Sequence, residues 1–206
     1  MPTFIAPVEL RRDGLLLTPL TPSHAPGLAE AAADGELWRL RYTSVPEPGQ
    51  ETAYIGQALS QQEQGTRVPF AVIDETDGRV LGSTSYHDLV PAIRRAEIGY
   101  TWYRASVQRT HVNTTCKLLL MEHAFDRCRC SVVGWRTAGD NHASQRAIAS
   151  LGAHRDGTIR RHGPARDGGA RDTVFFSMLP DEWPAARDRL QARLRRHGSA
   201  TSPPAS

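Results

Sequence analysis

The chain has 206 residues and a mass of 22.7 kDa, the size of one ordinary domain with room for an appendage. Hydrophobic residues make up 39% and charged residues 23%, which excludes a disordered chain, and no apolar run is long enough to span a membrane as a helix. The net charge is only +3, and the 25 basic side chains, of which a single one (Lys117) is lysine, are scattered among 22 acidic ones. Nucleic-acid binding needs a concentrated basic face, so no nucleic acid and no membrane is expected as a partner. Three cysteines, behind a start that lacks the basic and apolar regions of a secretory signal, read as reduced thiols of a cytoplasmic protein.

In chain order, Asp13-Gly14 is a turn signal before a strand over 15–20. Thr21-Pro22-Ser23 opens a helix that runs to Ala33. Residues 34–48 predict a short helix or turn ending in a Pro-rich loop, and 50–63 a clear amphipathic helix. The period then changes. Residues 68–74 and 79–89 flank a Glu75–Gly78 turn as a hairpin, and 94–103 is a third strand. Its alternation predicts Ile98, Tyr100 and Trp102 on one face and Glu97, Gly99 and Thr101 on the other. A strong helix over 112–127, a strand over 131–137 and a helix over 141–151 stopped by Gly152 follow. Two strands flank a loop at 163–170, an amphipathic helix covers 181–196, and GSATSPPAS reads as a disordered tail. This order specifies a mixed α/β (α+β) domain.

Two stretches can carry chemistry. In Ala105–Thr115 a strand runs into a polar loop that opens a long helix. The first amides of a helix have no internal partner and carry the positive end of its dipole, so they seat a phosphate or pyrophosphate. Thr110, Asn113 and Thr114 can add donors and Arg109 adds charge; an ordinary capped helix would look the same. In Asp140–Ala153 a helix starts after a strand with Asn141 and Ser144 in its first turn, where Asp140 or Asn141 can also serve only as a cap.

The E-I-G-Y-T-W strand, the V-N-T…K-L-L-L helix start, the D-N-x-x-S-x-x-A-I-x-x-L-G-A block and the closing R-D-T-V-F-F-S-M-L-x-D-E-W strand occur in this order over about residues 10–183. Together they resemble the GNAT superfamily of acyl-CoA-dependent N-acyltransferases, in its ribosomal-protein N-terminal acetyltransferase-like (RimJ/RimL-like) branch. The resemblance implies a strongly bent, mostly antiparallel mixed sheet, splayed in the middle and flanked by helices. It implies an acetyltransferase domain over 10–183, a C-terminal amphipathic helix over 184–197 that covers the domain or makes a homodimer contact, and a tail over 198–206. One departure stands out. The family's pyrophosphate loop has glycine where this chain has His111. Were that position to need φ > 0, a histidine would be strained by about 1–2 kcal/mol.

The resemblance implies transfer of an acetyl or other short acyl group from acyl-CoA (acetyl-CoA as cosubstrate, no metal) to a primary amine of a small molecule or a protein N-terminus. Glu97 is the implied base, acting through a water or paired instead with Arg94 or Arg95, and Ser144 the implied acid. Tyr100, Thr101, Trp102, Gln108, Arg109, Thr110, His111, Val112, Asn113, Thr114 and Asn141 would hold the donor. Trp38, Arg41, Tyr42, Tyr86 and His87, with Arg161, His162 and Asp172 of the 160–172 loop, would form the acceptor pocket. The alternative is a non-catalytic GNAT-fold binding or regulatory protein whose CoA affinity His111 has weakened. Cys116, His123, Cys128 and Cys130 lack the paired spacing of a zinc site, and buried thiols are expected instead.

Overall fold

The computed structural model describes residues 4–40, 44–165 and 168–201, with side chains through Arg196. Eight strands form one sheet: β1 (Leu10–Arg12), β2 (Leu15–Pro19), β3 (Arg67–Asp74), β4 (Val80–Val90), β5 (Arg95–Tyr103), β6 (Val132–Ala138), β7 (His154–Pro164) and β8 (Ala170–Met178). Their spatial order is β1-β2-β3-β4-β5-β6-β8-β7. Every neighbouring pair is antiparallel except β5 and β6. The helices are α1 (Ala25–Ala33), α2 (Glu51–Glu63), α3 (Val112–Glu122), α4 (His142–Ser150) and α5 (Trp183–Thr201).

Most expected elements are present. β1 was not expected, because three residues are too few to show a period. Asp13 and Gly14 both take positive φ, 51° and 74°, as a two-residue hairpin turn requires. α3 ends in a π-helical turn, His123–Arg127, which accounts for the helical pattern running to residue 127. The strands β7 and β8 extend into the expected 163–170 loop, of which residues 166 and 167 lie outside the described part. The backbone of α5 continues to Thr201, past the end expected at 196 or 197, so the tail reading holds no further upstream than 202, outside the described residues.

Two apolar layers sandwich the sheet. On one face α3, α4 and α5 contribute Cys116, Leu119, Leu120, Ile148, Trp183 and Leu190 to the larger core. On the other, α1 and α2 contribute Leu28, Ala31, Ala32, Ile55 and Ala58. α5 docks through Trp183, whose ring stacks on Phe125 at 5.6 Å and whose indole N–H donates to Asp126 Oδ1 at 3.0 Å.

β5 breaks the alternation expected of it. Ser83 pairs with Trp102 and Ser85 with Gly99, so Tyr100 and Thr101 together oppose the single residue Thr84. This is a β-bulge, with Tyr100 at φ 50°. The extra residue flips every side chain beyond it. Ile98 therefore lies in the α3 layer while Trp102 lies in the α1/α2 layer, not on one face as the sequence predicts. Thr101 turns instead toward α3, where it meets Thr84 and Lys117. Tyr100 is held on the α2 side between Arg67, 3.8 Å above its ring, and His87, whose ring centroid is 5.1 Å away.

Candidate active site

β5 and β6 run parallel for three residue pairs only, Arg95–Val132, Ala96–Val133 and Glu97–Gly134. Beyond that the strands part. A cleft of about 490 Å3 opens between them, reaching from α3 and α4 on one face to the α1 side on the other. Asn113, Lys117, Asn141 and Ser144 line it on the first side; His87, Tyr100, Arg136 and Leu37 line it on the second. The bulge sits at its middle, with Gly99, Thr101 and Trp102 in the wall.

The loop before α3 builds one mouth. Thr110 Oγ1 donates to the Val107 carbonyl at 2.7 Å and accepts from the Val112 N–H at 3.3 Å, which caps the helix. Thr115 N–H is already in the helical ladder. The amides of Asn113 and Thr114 have no partner among the described residues, so their N–H groups are free at the positive end of the helix. Gln108 lines the cleft but ties its amide nitrogen to the Tyr103 carbonyl at 3.0 Å. The strain feared at His111 is absent: its φ and ψ are −67° and −22°, ordinary helical values. The left-handed residue is Arg109, exposed at φ 63°. The side chains of Val112 and Thr114 are buried, 3% exposed each, so only their backbone can face a ligand.

α4 builds the opposite wall. Asn141 caps it, its Oδ1 accepting from Ser144 N–H at 3.0 Å. Gln145, one residue on, donates to the Gly139 carbonyl at 2.8 Å and anchors the helix to the end of β6. The Asn141 amide nitrogen and the Ser144 hydroxyl make no hydrogen bond among the described residues.

Glu97 is 1% exposed. Its Oε1 is paired with Arg95. Its Oε2 is buried and makes no hydrogen bond; Arg136 Nε lies at 3.6 Å and His87 Nε2 at 3.9 Å. Glu97 does not itself line the cleft, whereas His87 does. Asp88 completes the group. His87 beside it and the Arg136 guanidinium paired with it hold its carboxyl down at about 2. His87, Asp88 and Glu97 bring three ligand-type atoms within 4.8 Å of one another, yet Arg95 and Arg136 already occupy both carboxylates.

Other expected residues lie elsewhere. Tyr86 does not wall the acceptor side. It is fully buried on the α3 face with its hydroxyl donating to the Leu120 carbonyl, because residue 86 alternates away from His87. Trp38 packs against the α1/α2 layer, and its neighbours Leu37 and Leu40 line the cleft in its place. Arg41 and Tyr42 lie outside the described residues. Arg161 and Asp172 meet each other at the β7–β8 edge, and His162 contacts Thr173 at 3.3 Å; none lines the cleft, though Arg171 does. Burial pushes the Cys116 and Cys130 thiols up to about 12, so both stay protonated.

Lys117, Arg136 and Gly99 were missed. Lys117 had a signal: it is the single lysine, set in the apolar run Cys116-Lys117-Leu118-Leu119-Leu120. It is 6% exposed, and its Nζ donates to Thr101 Oγ1 at 2.8 Å. Arg136 and Gly99 had none, since their importance lies in cross-strand neighbours.

Residues 14–154 match the acetyltransferase (GNAT) domain family, and the chain belongs to that family. It is 30% identical over 107 residues to YdaF of Bacillus subtilis (strain 168), named provisionally as a ribosomal N-acetyltransferase; the match spans 52% of this chain and 57% of that protein. A GCN5-related N-acetyltransferase from Brucella melitensis superimposes with a TM-score of 0.79 at 26% identity, covering 93% of this chain and 86% of that one. Mycobacterium smegmatis RimJ, solved in complex with CoA-disulfide, shares the fold with a TM-score of 0.74 at 21% identity, covering 92% and 94%. Family membership supports acyl transfer from CoA. No helix among the described residues is long and apolar enough to cross a membrane.

Proposed function

We propose that this protein transfers an acetyl or other short acyl group from acyl-CoA to a primary amine. The observation that carries the reading is the through-sheet cleft. At one mouth are the partnerless amides of Asn113 and Thr114, and at the other the buried Glu97–His87 pair. The donor's pyrophosphate sits on the α3 amides, with Arg109, Thr110 and His111 around it, and the pantetheine arm runs between β5 and β6 past Asn141. The thioester lies at the bulge formed by Tyr100, Thr101 and Trp102.

The amine enters from the His87 side. It must lose a proton to attack. Glu97 lies behind the wall of the cleft, so a water beside Oε2 carries the proton to it. Arg95 and Arg136 stabilise the carboxylate, and His87 fixes the water. The Ser144 hydroxyl gives a proton to the departing thiolate. Among the described residues the lining contains His87, Arg136 and Arg171 but no carboxylate, which suits an amine that also carries an acidic group, such as an amino acid or its derivative. This favours a small acceptor over the N-terminus of a basic protein. The competing non-catalytic reading leaned on strain at His111, and the helical angles there leave it without that support.

The test is release of free CoA thiol from acetyl-CoA across a panel of amines with and without a carboxylate. Turnover that is fastest with carboxylate-bearing amines supports the reading. No thiol release with any amine or acyl donor overturns it.

A further inference from the structure

A buried cation normally has a counter-ion, because removing a charge from water costs several kcal/mol. Lys117 has none. Among the described residues no Asp or Glu shares the cleft lining with it, and Cys116, whose thiol stays protonated, is its one electrostatic neighbour. Its ammonium has three N–H donors and uses one, on Thr101 Oγ1. Thr101 bonds in turn to Thr84 Oγ1 at 2.8 Å, so the ammonium is tethered to the bulge itself. A lysine placed only for packing would be replaced without loss by leucine or methionine, which burial favours by a wide margin. The position therefore keeps a charge in the wall of the cleft, on the bulge residue Thr101.

We propose that Lys117 is a catalytic residue: its ammonium polarises the thioester carbonyl and stabilises the oxyanion that forms when the amine attacks. The proposal rests on the acyltransferase reading and on the thioester lying at the bulge. In the step, the amine nitrogen bonds to the carbonyl carbon and the carbonyl π pair moves onto oxygen, beside the ammonium. On collapse the C–S bond breaks and CoA leaves as the thiol, taking its proton from Ser144, which solvent recharges. The nitrogen's proton goes to Glu97 through water. Amine plus thioester gives amide plus thiol. Burial lowers the Lys117 amine to about 8, so the ammonium still predominates at neutral pH.

The test uses acetyl-CoA carrying a 13C-labelled thioester carbonyl and difference infrared spectra of the full chain without amine. In wild type the carbonyl stretch of bound donor shifts to lower frequency than in solution. In Lys117→Met the shift shrinks toward the solution value, in Lys117→Arg part of it is retained, and Thr101→Val, which frees the ammonium from its tether, broadens or reduces it. Calorimetry shows acetyl-CoA affinity within about threefold of wild type for the two Lys117 variants, while turnover of Lys117→Met falls by about 10²-fold, the usual loss for one oxyanion donor. A band identical in wild type, Lys117→Met and Lys117→Arg, with donor still bound, overturns the proposal and leaves the transferase reading standing. Failure of wild type to bind acetyl-CoA overturns both.

Discussion

Glu97 and His87 face each other across the β4–β5 ladder, with Oε2 and Nε2 at 3.9 Å and no hydrogen bond on that oxygen. A buried carboxylate oxygen without a partner carries a cost that a purely structural ion pair would avoid. In the proposed mechanism that oxygen takes the amine's proton through a water. Replacing Glu97 with Gln keeps the shape and removes the proposed base. The expected result is a fall in kcat of about 10²-fold with little change in the KM for acetyl-CoA, the size typical of a lost general base. Equal kcat in the two proteins removes Glu97 from the mechanism.

Asn141 and Ser144 sit three residues apart in one turn but do different work. Asn141 Oδ1 caps α4 on the Ser144 amide. Asn141→Ala should lower stability by about 1 kcal/mol, the usual cost of a lost N-cap, which thermal unfolding will read. Ser144→Ala leaves that cap intact and should be stable to within about 0.5 kcal/mol, as is usual for a substitution that breaks no packing or cap. Its effect falls on turnover, at least tenfold, and should shrink with acyl donors whose thiol is a better leaving group.

Two glycines fix the geometry of the bulge by close approach. A Cβ on Gly99 would stand 2.3 Å from His87 Nε2, and one on Gly82 would stand 2.1 Å from the Trp102 carbonyl oxygen. The first clash is with the end of a side chain, the second with backbone. Gly99→Ala should therefore fold, displace the imidazole and cost mainly activity. Gly82→Ala should destabilise the chain by about 2 kcal/mol or more, as overpacking against backbone does. Comparing Tm and turnover of the two variants checks the order.

Lys117 gives a pH signature. Its folded pKa of about 8 lies below the 10.5 of an exposed lysine. The folded state thus holds fewer protons than the unfolded state between those values, and stability contributed by this group rises with pH across that window. Below pH 8 the full cost of the buried charge is present, about 3 kcal/mol by the size of the shift. Lys117→Met should raise Tm at pH 7, and its advantage over wild type should narrow from pH 8 toward pH 10.5. A Tm difference independent of pH in that range contradicts the burial of a charged amine.

Much of this architecture was legible in the residues. Period-2 and period-3.6 patterns and turn signals located seven of the strands and all five helices, most of which bury one face, though β7 buries none. A helix start after a strand located Asn141 and Ser144, while their site role was implied only by the family resemblance; both line the cleft. What was not legible depends on the partner strand. The bulge at Tyr100 exists because β4 supplies one residue where β5 supplies two, and nothing in the E-I-G-Y-T-W run announces it. It moved Tyr100 and Trp102 to the face opposite Ile98. Tyr86 and His87 could not both face the pocket, since neighbours on a strand point apart; the larger aromatic went to the core. Lys117 was passed over because a helix position in an apolar run reads as core.

His111 offers a check on the loop. With helical φ and ψ, it occupies a conformation open to any residue. His111→Gly should then leave acetyl-CoA affinity within about threefold, losing only the small preference that helical positions have against glycine. A gain of tenfold or more in affinity would show that the imidazole crowds the phosphates.

The most direct measurement is a calorimetric titration of the wild-type protein with acetyl-CoA and with free CoA. The cleft between β5 and β6, with its amides at Asn113 and Thr114, should bind both with Kd near 1 μM, about −8 kcal/mol. No heat of binding at ligand concentrations near 1 mM, about −4 kcal/mol, would contradict the acyltransferase account.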